Sequence, residues 1–225
     1  MALGITLSLN LPRFHHFQLG PDDVQQLFVN STSGFRHSRG LAALLLAGGA
    51  STRMGQPKAL LEAAGRPFWE AQMEKLQALD PDELFISIPR ELSLPSGPWQ
   101  VLHDEKVGLG PLSGLHAALQ AMTGEWLVVL AVDLPEMTTA FLRNLHEAAT
   151  AKGCGLIPQL DGFYEGLAAI YPRSLADLCQ THLASKDRSL QRFARQAVAD
   201  GQLSIYPVTE ENRALFRNVN RPTDL

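Results

Sequence analysis

The chain has 225 residues, 45% of them hydrophobic and 19% charged, with a formal net charge of -4. That length suits one α/β domain with a substantial core and would cramp two. The acidic balance argues against a general nucleic-acid binder, which needs a strongly basic face, and it leaves room for a local basic pocket for a phosphate ligand. The two cysteines, Cys154 and Cys179, encode neither a disulfide framework nor a zinc site, which fits a cytoplasmic setting.

Residues 1–39 read as a partly ordered N-terminal extension. The apolar run from Leu3 to Leu11 is short, broken by Asn10 and followed by Pro12, and no basic region precedes it. It therefore matches neither a signal peptide nor a membrane span. His15, His16 and His37 read as part of this extension and not as a metal tract.

Residues 40–225 alternate short apolar runs with helical patterns. This predicts a single Rossmann-like three-layer α/β domain with a mostly parallel central sheet. Leu41–Ala47 is a continuous apolar run, as a strand buried on both faces requires. Pro67 opens a helix with Phe68, Trp69, Met73 and Leu76 at helical spacing. Strands are predicted at 84–88 and 100–102, a helix around Leu115, Ala118 and Leu119, and a buried strand at 126–132 that ends in Asp133-Leu134-Pro135. Helices then follow at 141–148, 175–183 and 190–198, and strands at 155–157, 167–171 and 203–208.

The loop after the first strand, LAGGASTRMGQPK from Leu46 to Lys58, is built for a triphosphate. Gly48 and Gly49 let backbone N–H groups approach phosphate oxygens closely. Arg53 supplies a forked donor set and Lys58 a compact positive charge. A Walker A loop needs Gly-Lys-Ser/Thr, whereas Gln56 and Pro57 separate Gly55 from Lys58; the dinucleotide fingerprint G-x-G-x-x-G fails at Ala50. The alternative is a glycine-rich turn with two solvated cations.

Asp133 stands where a buried strand ends, and ligands in open α/β sheets bind beyond the carboxyl ends of strands. A carboxylate there can hold Mg²⁺; as a turn former before Pro135 it needs no ligand. Asp104, ahead of the glycine-rich VGLGPLSGL, reads as a second carboxylate for ligand chemistry or as a turn residue. Asn218 and Asn220 point to one side of an extended segment, where their amides serve a ligand or the local backbone. In Lys186-Asp187-Arg188-Ser189, Arg188 offers a cation to an acceptor phosphate, while Asp187 or Ser189 can equally cap a helix. His116 and His182 read as ordinary helix residues.

LAGGASTRMGQPKALL resembles the signature loop of the nucleotidyltransferases that activate sugars and cofactors. Its doubled glycine and Arg-Met-Gly step are most similar to the molybdenum cofactor guanylyltransferases. The resemblance runs from about Leu41 to Leu225. It implies a nucleotide-diphospho-sugar transferase-like fold and transfer of GMP from GTP to the phosphate of the cofactor's pterin, with release of pyrophosphate. By the same resemblance Leu46, Ala47, Gly48, Gly49, Lys58 and Asp104 contact the nucleotide, and Asp133 holds Mg²⁺ and touches the nucleotide. Catalysis falls to Arg53, Lys58 and Asp133. The ending FRNVNRPTDL matches the family's, with Asn218, Asn220 and Arg188 as acceptor contacts.

Two positions depart from that pattern. Ser87 stands among the nucleotide contacts where the family often has asparagine, and Glu165-Gly166 replaces a common histidine-proline. They keep open the same chemistry with CTP or a sugar phosphate. A nucleotide-binding partner protein without turnover is the alternative of another class. The implied partners are GTP, the pterin cofactor and transiently the proteins that deliver or receive it, with no nucleic acid and no membrane.

Overall fold

Strand β1, Leu41–Leu46, is buried along its whole length, and its side chains divide by parity between two hydrophobic clusters. Leu41, Ala43 and Leu45 join one cluster; Ala42, Leu44 and Leu46 join the other. This period of two is what a strand covered on both faces requires. The computed structural model describes residues 40–48, 58–60, 62–63, 65–103, 109–185 and 187–219. All of these belong to one compact unit, His37–Leu225.

The elements follow the expected alternation. A short pair, β2 (Glu62–Ala63) and β3 (Arg66–Pro67), leads into helix α1 (Phe68–Gln77). Next come β4 (Glu83–Ile88), β5 (Gln100–His103), α2 (Pro111–Ala121) and β6 (Trp126–Ala131). The second half contains α3 (Thr139–Lys152), β7 (Gly155–Leu160), β8 (Phe163–Tyr164), β9 (Ala168–Pro172), α4 (Ala176–Ala184), α5 (Leu190–Ala199) and β10 (Leu203–Pro207). Helix α3 starts at an N-cap, Thr138, whose hydroxyl accepts from the Phe141 N–H at 3.2 Å, and ends on the left-handed Gly153.

The strands form one sheet in the order β10-β7-β9-β6-β1-β4-β5, with β8 paired to β7. Helices α1 and α3 pack on one face, where Phe68, Met73 and Leu76 meet Phe141, Leu142 and Leu145 over the odd side of β1. Helices α2, α4 and α5 cover the other face, with Leu115, Leu119, Cys179 and Phe193 in its core. The result is three layers, as predicted.

Strands β1, β4, β5 and β6 run parallel, whereas β9 pairs antiparallel with both β6 and β7. The reversal begins at a hairpin absent from the sequence reading. Asp161 and Gly162 both have positive φ, 49° and 81°, and join the paired Leu160 and Phe163. Asp-Gly is the dipeptide that a two-residue I′ turn selects.

Candidate active site

The carboxyl ends of the central strands are tied together by main-chain hydrogen bonds. The Ala47 N–H donates to the Ser87 carbonyl at 2.9 Å, and the Val132 N–H donates to the Leu46 carbonyl at 3.0 Å. On the far side of β6 the Ala131 N–H donates to the Leu167 carbonyl at 2.8 Å. Beyond these ties the backbone leaves the sheet, so Leu46, Ala47, Gly48, Ser87 and Asp133 share one rim. All five are among the nucleotide contacts that the sequence predicts.

Ser87 ends β4 almost fully buried, at 2% exposure, under the first turn of α2. The contact is close because Gly114 lacks a side chain: a Cβ there would lie 2.5 Å from Ser87 Oγ and 2.7 Å from Leu46 Cδ2. That glycine lets the helix following the second glycine-rich loop sit directly on the ends of β1 and β4. Helix α2 opens with Pro111 after Gly110, which has positive φ, and the Ser113 N–H donates to the Gly110 carbonyl at 3.2 Å.

Asp133 follows β6 in a turn, half-buried. Its carbonyl accepts from the Val219 N–H at 2.9 Å, which brings the C-terminal segment to the rim. Asn218 lies beside it. With its amide nitrogen turned inward, Asn218 donates to Asp133 Oδ2 at 2.8 Å, to Oδ1 at 3.2 Å and to the carbonyl at 3.1 Å. Turned the other way, the amide oxygen stands against the same carboxylate.

The turn is also held from below. Gln72, at 1% exposure on α1, donates through Nε2 to the Leu134 carbonyl at 2.6 Å and to the Ala131 carbonyl at 3.4 Å. Lys75 Nζ donates to the Pro135 carbonyl at 2.6 Å, and burial pulls its pKa below the usual lysine value. The sequence reading passed over both residues. The available signal was a polar Gln72 on the buried stripe, four residues after Phe68 and four before Leu76.

Other predicted residues fall differently. Arg188 is exposed, and its Nε donates to the Leu183 carbonyl at 2.9 Å near the end of α4. The Asp187 carboxylate accepts from the Ser189 N–H at 3.1 Å and pairs with Arg192 at 2.8 Å, so this stretch closes on itself before α5. Glu165 sits half-buried between β8 and β9, where burial alone pushes its carboxyl above the usual range. His182 packs edge-on against Phe193 at 5.8 Å. Gly49, Arg53, Asp104, Lys186 and Asn220 lie outside the described residues, and of Lys58 only its place at the start of the 3₁₀ turn Lys58–Leu60 is described. Among the described residues no cluster of three or more His, Cys, Asp or Glu forms a metal site, and no helix is long and apolar enough to cross a membrane.

Residues 43–202 match the family model described as a MobA-like NTP transferase domain. A probable molybdenum cofactor guanylyltransferase from Opitutus terrae is 35% identical over 187 residues, covering 82% of this chain and 92% of the relative. The molybdenum cofactor guanylyltransferase of Pseudomonas fluorescens is 34% identical, covering 80% and 88%. The crystal structure of molybdopterin-guanine dinucleotide biosynthesis protein A from Archaeoglobus fulgidus superposes with a TM-score of 0.68 at 26% identity, over 81% of this chain and 94% of that one.

Proposed function

The chain belongs to the MobA-like NTP transferase family and is a nucleotidyltransferase; from that premise we propose that it transfers GMP from GTP to the phosphate of the molybdenum cofactor's pterin, releasing pyrophosphate. The observation that carries the reading is the rim itself: the nucleotide strand end at Leu46–Gly48 and the acid Asp133 are joined through one hydrogen bond, from Val132 to Leu46.

The acceptor phosphate is already ionised at neutral pH, so no side-chain base is needed. The work is positioning and charge neutralisation. The backbone of Leu46, Ala47, Gly48 and Gly49 seats the nucleoside with Ser87 and Asp104. Arg53 and Lys58 oppose the charge on the leaving pyrophosphate. Asn220 and Arg188 are proposed for the acceptor side.

The donor set beside Asp133 fits Mg²⁺, a hard cation that takes oxygen ligands. Asp133 supplies a carboxylate, and the Asn218 amide can turn either nitrogen or oxygen toward it across 2.8 Å. Nitrogen inward satisfies the carboxylate when no cation is present; oxygen inward gives two oxygen donors to one. When bound, Mg²⁺ neutralises phosphate charge during transfer. We place the enzyme in the cytoplasm, in transient contact with the proteins that deliver and receive the cofactor.

The test is thermal stabilisation by GTP, CTP, ATP and UTP with Mg²⁺. Stabilisation grows as RT ln(1 + [L]/Kd), so the preferred base gives the largest shift. GTP is expected to lead. A larger shift with CTP would move the reading to a cytidylyltransferase, the rival that Ser87 keeps open.

A further inference from the structure

We propose that Gln72 and Lys75 of α1 are positioning residues that hold the Asp133 turn at its working height; the inference rests on Asp133 being the metal-holding acid. Three carbonyls around that acid accept side-chain hydrogen bonds from α1, and two of them, Ala131 and Leu134, also accept main-chain bonds from the Leu134 and Met137 N–H groups at 3.4 and 3.1 Å. Gln72 Nε2 serves Ala131 and Leu134 at 3.4 and 2.6 Å, and Lys75 Nζ serves Pro135 at 2.6 Å. The start of α3 adds a bond to the same helix, since Thr139 Oγ1 donates to the Lys75 carbonyl at 3.2 Å.

Two features set this arrangement apart from ordinary helix packing. Gln72 occupies a stripe whose other members, Phe68, Trp69, Met73 and Leu76, are apolar, and its Oε1 is buried without a hydrogen-bond partner among the described residues. Burying an unpaired amide oxygen is unfavourable, and a leucine would pack there without that penalty. The chain keeps the amide where its nitrogen is needed, on the carbonyls that bracket Asp133. In addition, a cavity of about 160 Å³ opens between α1 and the turn, lined by Phe68, Gln72, Lys75, Val132 and Pro135 among others. A turn beside a solvent-open pocket has less packing beneath it, and these hydrogen bonds tie it to α1.

From above, the Val219 N–H and Asn218 hold the same residue at its carbonyl and carboxylate. Asp133 is thus clamped between the C-terminal segment and α1. Outer-shell partners of metal ligands act in this way, and their loss typically lowers metal affinity or activity about 10- to 100-fold.

The experiment compares the full-length parent with Gln72→Leu, Lys75→Met and Asp133→Ala. It reads the melting temperature without ligand, the further shift produced by Mg²⁺ with GTP, and the Mg²⁺ concentration for half-maximal turnover. Gln72→Leu is expected to melt at or above the parent temperature, because the unpaired oxygen is gone. It should nevertheless lose most of the Mg²⁺-dependent shift and need about 10- to 100-fold more Mg²⁺. Lys75→Met should shift the Mg²⁺ requirement in the same direction by less. An unchanged Mg²⁺ requirement in Gln72→Leu overturns the clamp, as does a loss of activity that only tracks a lower melting temperature. If Asp133→Ala keeps the full Mg²⁺-dependent shift, the metal reading and the clamp fall together. If Asp133→Ala loses it while Gln72→Leu keeps it, only the clamp falls.

Discussion

Asn218 reaches Asp133 from the far end of the chain: with its amide nitrogen turned inward it donates to Asp133 Oδ2 at 2.8 Å, while the next residue's N–H, from Val219, closes on the Asp133 carbonyl at 2.9 Å. The C-terminal segment therefore lies against the strand end that carries the acid. Removing either partner should be felt in metal-dependent turnover before it is felt in folding. Asp133→Ala is expected to lower kcat/KM by at least about two orders of magnitude. Asn218→Ala should raise the Mg²⁺ concentration for half-maximal rate by about 10-fold or more. Steady-state kinetics across a Mg²⁺ titration checks both.

Gly114 is where α2 touches the ends of β1 and β4. Alanine there gains about 1 kcal/mol of helix propensity. It also places a Cβ 2.5 Å from Ser87 Oγ and 2.9 Å from Ser87 Cβ, so the helix must lift. Overpacking of this kind costs about 1–3 kcal/mol. Gly114→Ala should therefore lower stability in urea unfolding and weaken GTP binding. The double change with Ser87→Gly, which removes both contacting serine atoms, should recover part of the stability.

Much of this was legible in the sequence, for identifiable reasons. The apolar run 41–47 could only be a strand covered on both faces, and the motif Leu46–Lys58 could only follow it. Asp133 stands out by position, at the end of a second such run. The Asp161-Gly162 hairpin was equally written in the sequence, but two-residue β8 is too short to show a period, so the reversal of β9 went unseen. Gln72 escaped because an apolar stripe is read by its majority. Asn218 was placed on the acceptor side, and the structure sets it against Asp133, a contact between residues 85 positions apart that no local pattern encodes.

Glu165 should be a pH-dependent liability. Burial raises its folded pKa above the ordinary 4.5, so the folded state holds its proton more tightly than the unfolded chain does. Its destabilising effect is absent well below 4.5 and develops as pH rises through that raised value. Glu165→Gln is expected to raise the melting temperature at pH 7–8 and to leave it unchanged near pH 3. Differential scanning calorimetry at the two pH values checks this.

His146 works in the opposite sense. It is buried on α3, with Nε2 3.4 Å from Thr150 Oγ1, and burial pulls its pKa below 6.5. Neutral in the fold and readily protonated when unfolded, it contributes stability above pH 6.5 that is lost as pH falls from there through the depressed folded value. His146→Leu should flatten the decline in unfolding free energy between pH 7 and pH 5. A parallel decline in parent and variant would assign the acid sensitivity elsewhere.

The most direct test of the central claim is pyrophosphate release by the purified chain with Mg²⁺, GTP and the pterin acceptor, together with identification of the pterin product. Release is expected to require both GTP and acceptor and to yield a pterin carrying a covalently attached GMP, and Asp133→Ala is expected to lose both. Equal or faster release with CTP, or release indifferent to the acceptor, would contradict the central claim.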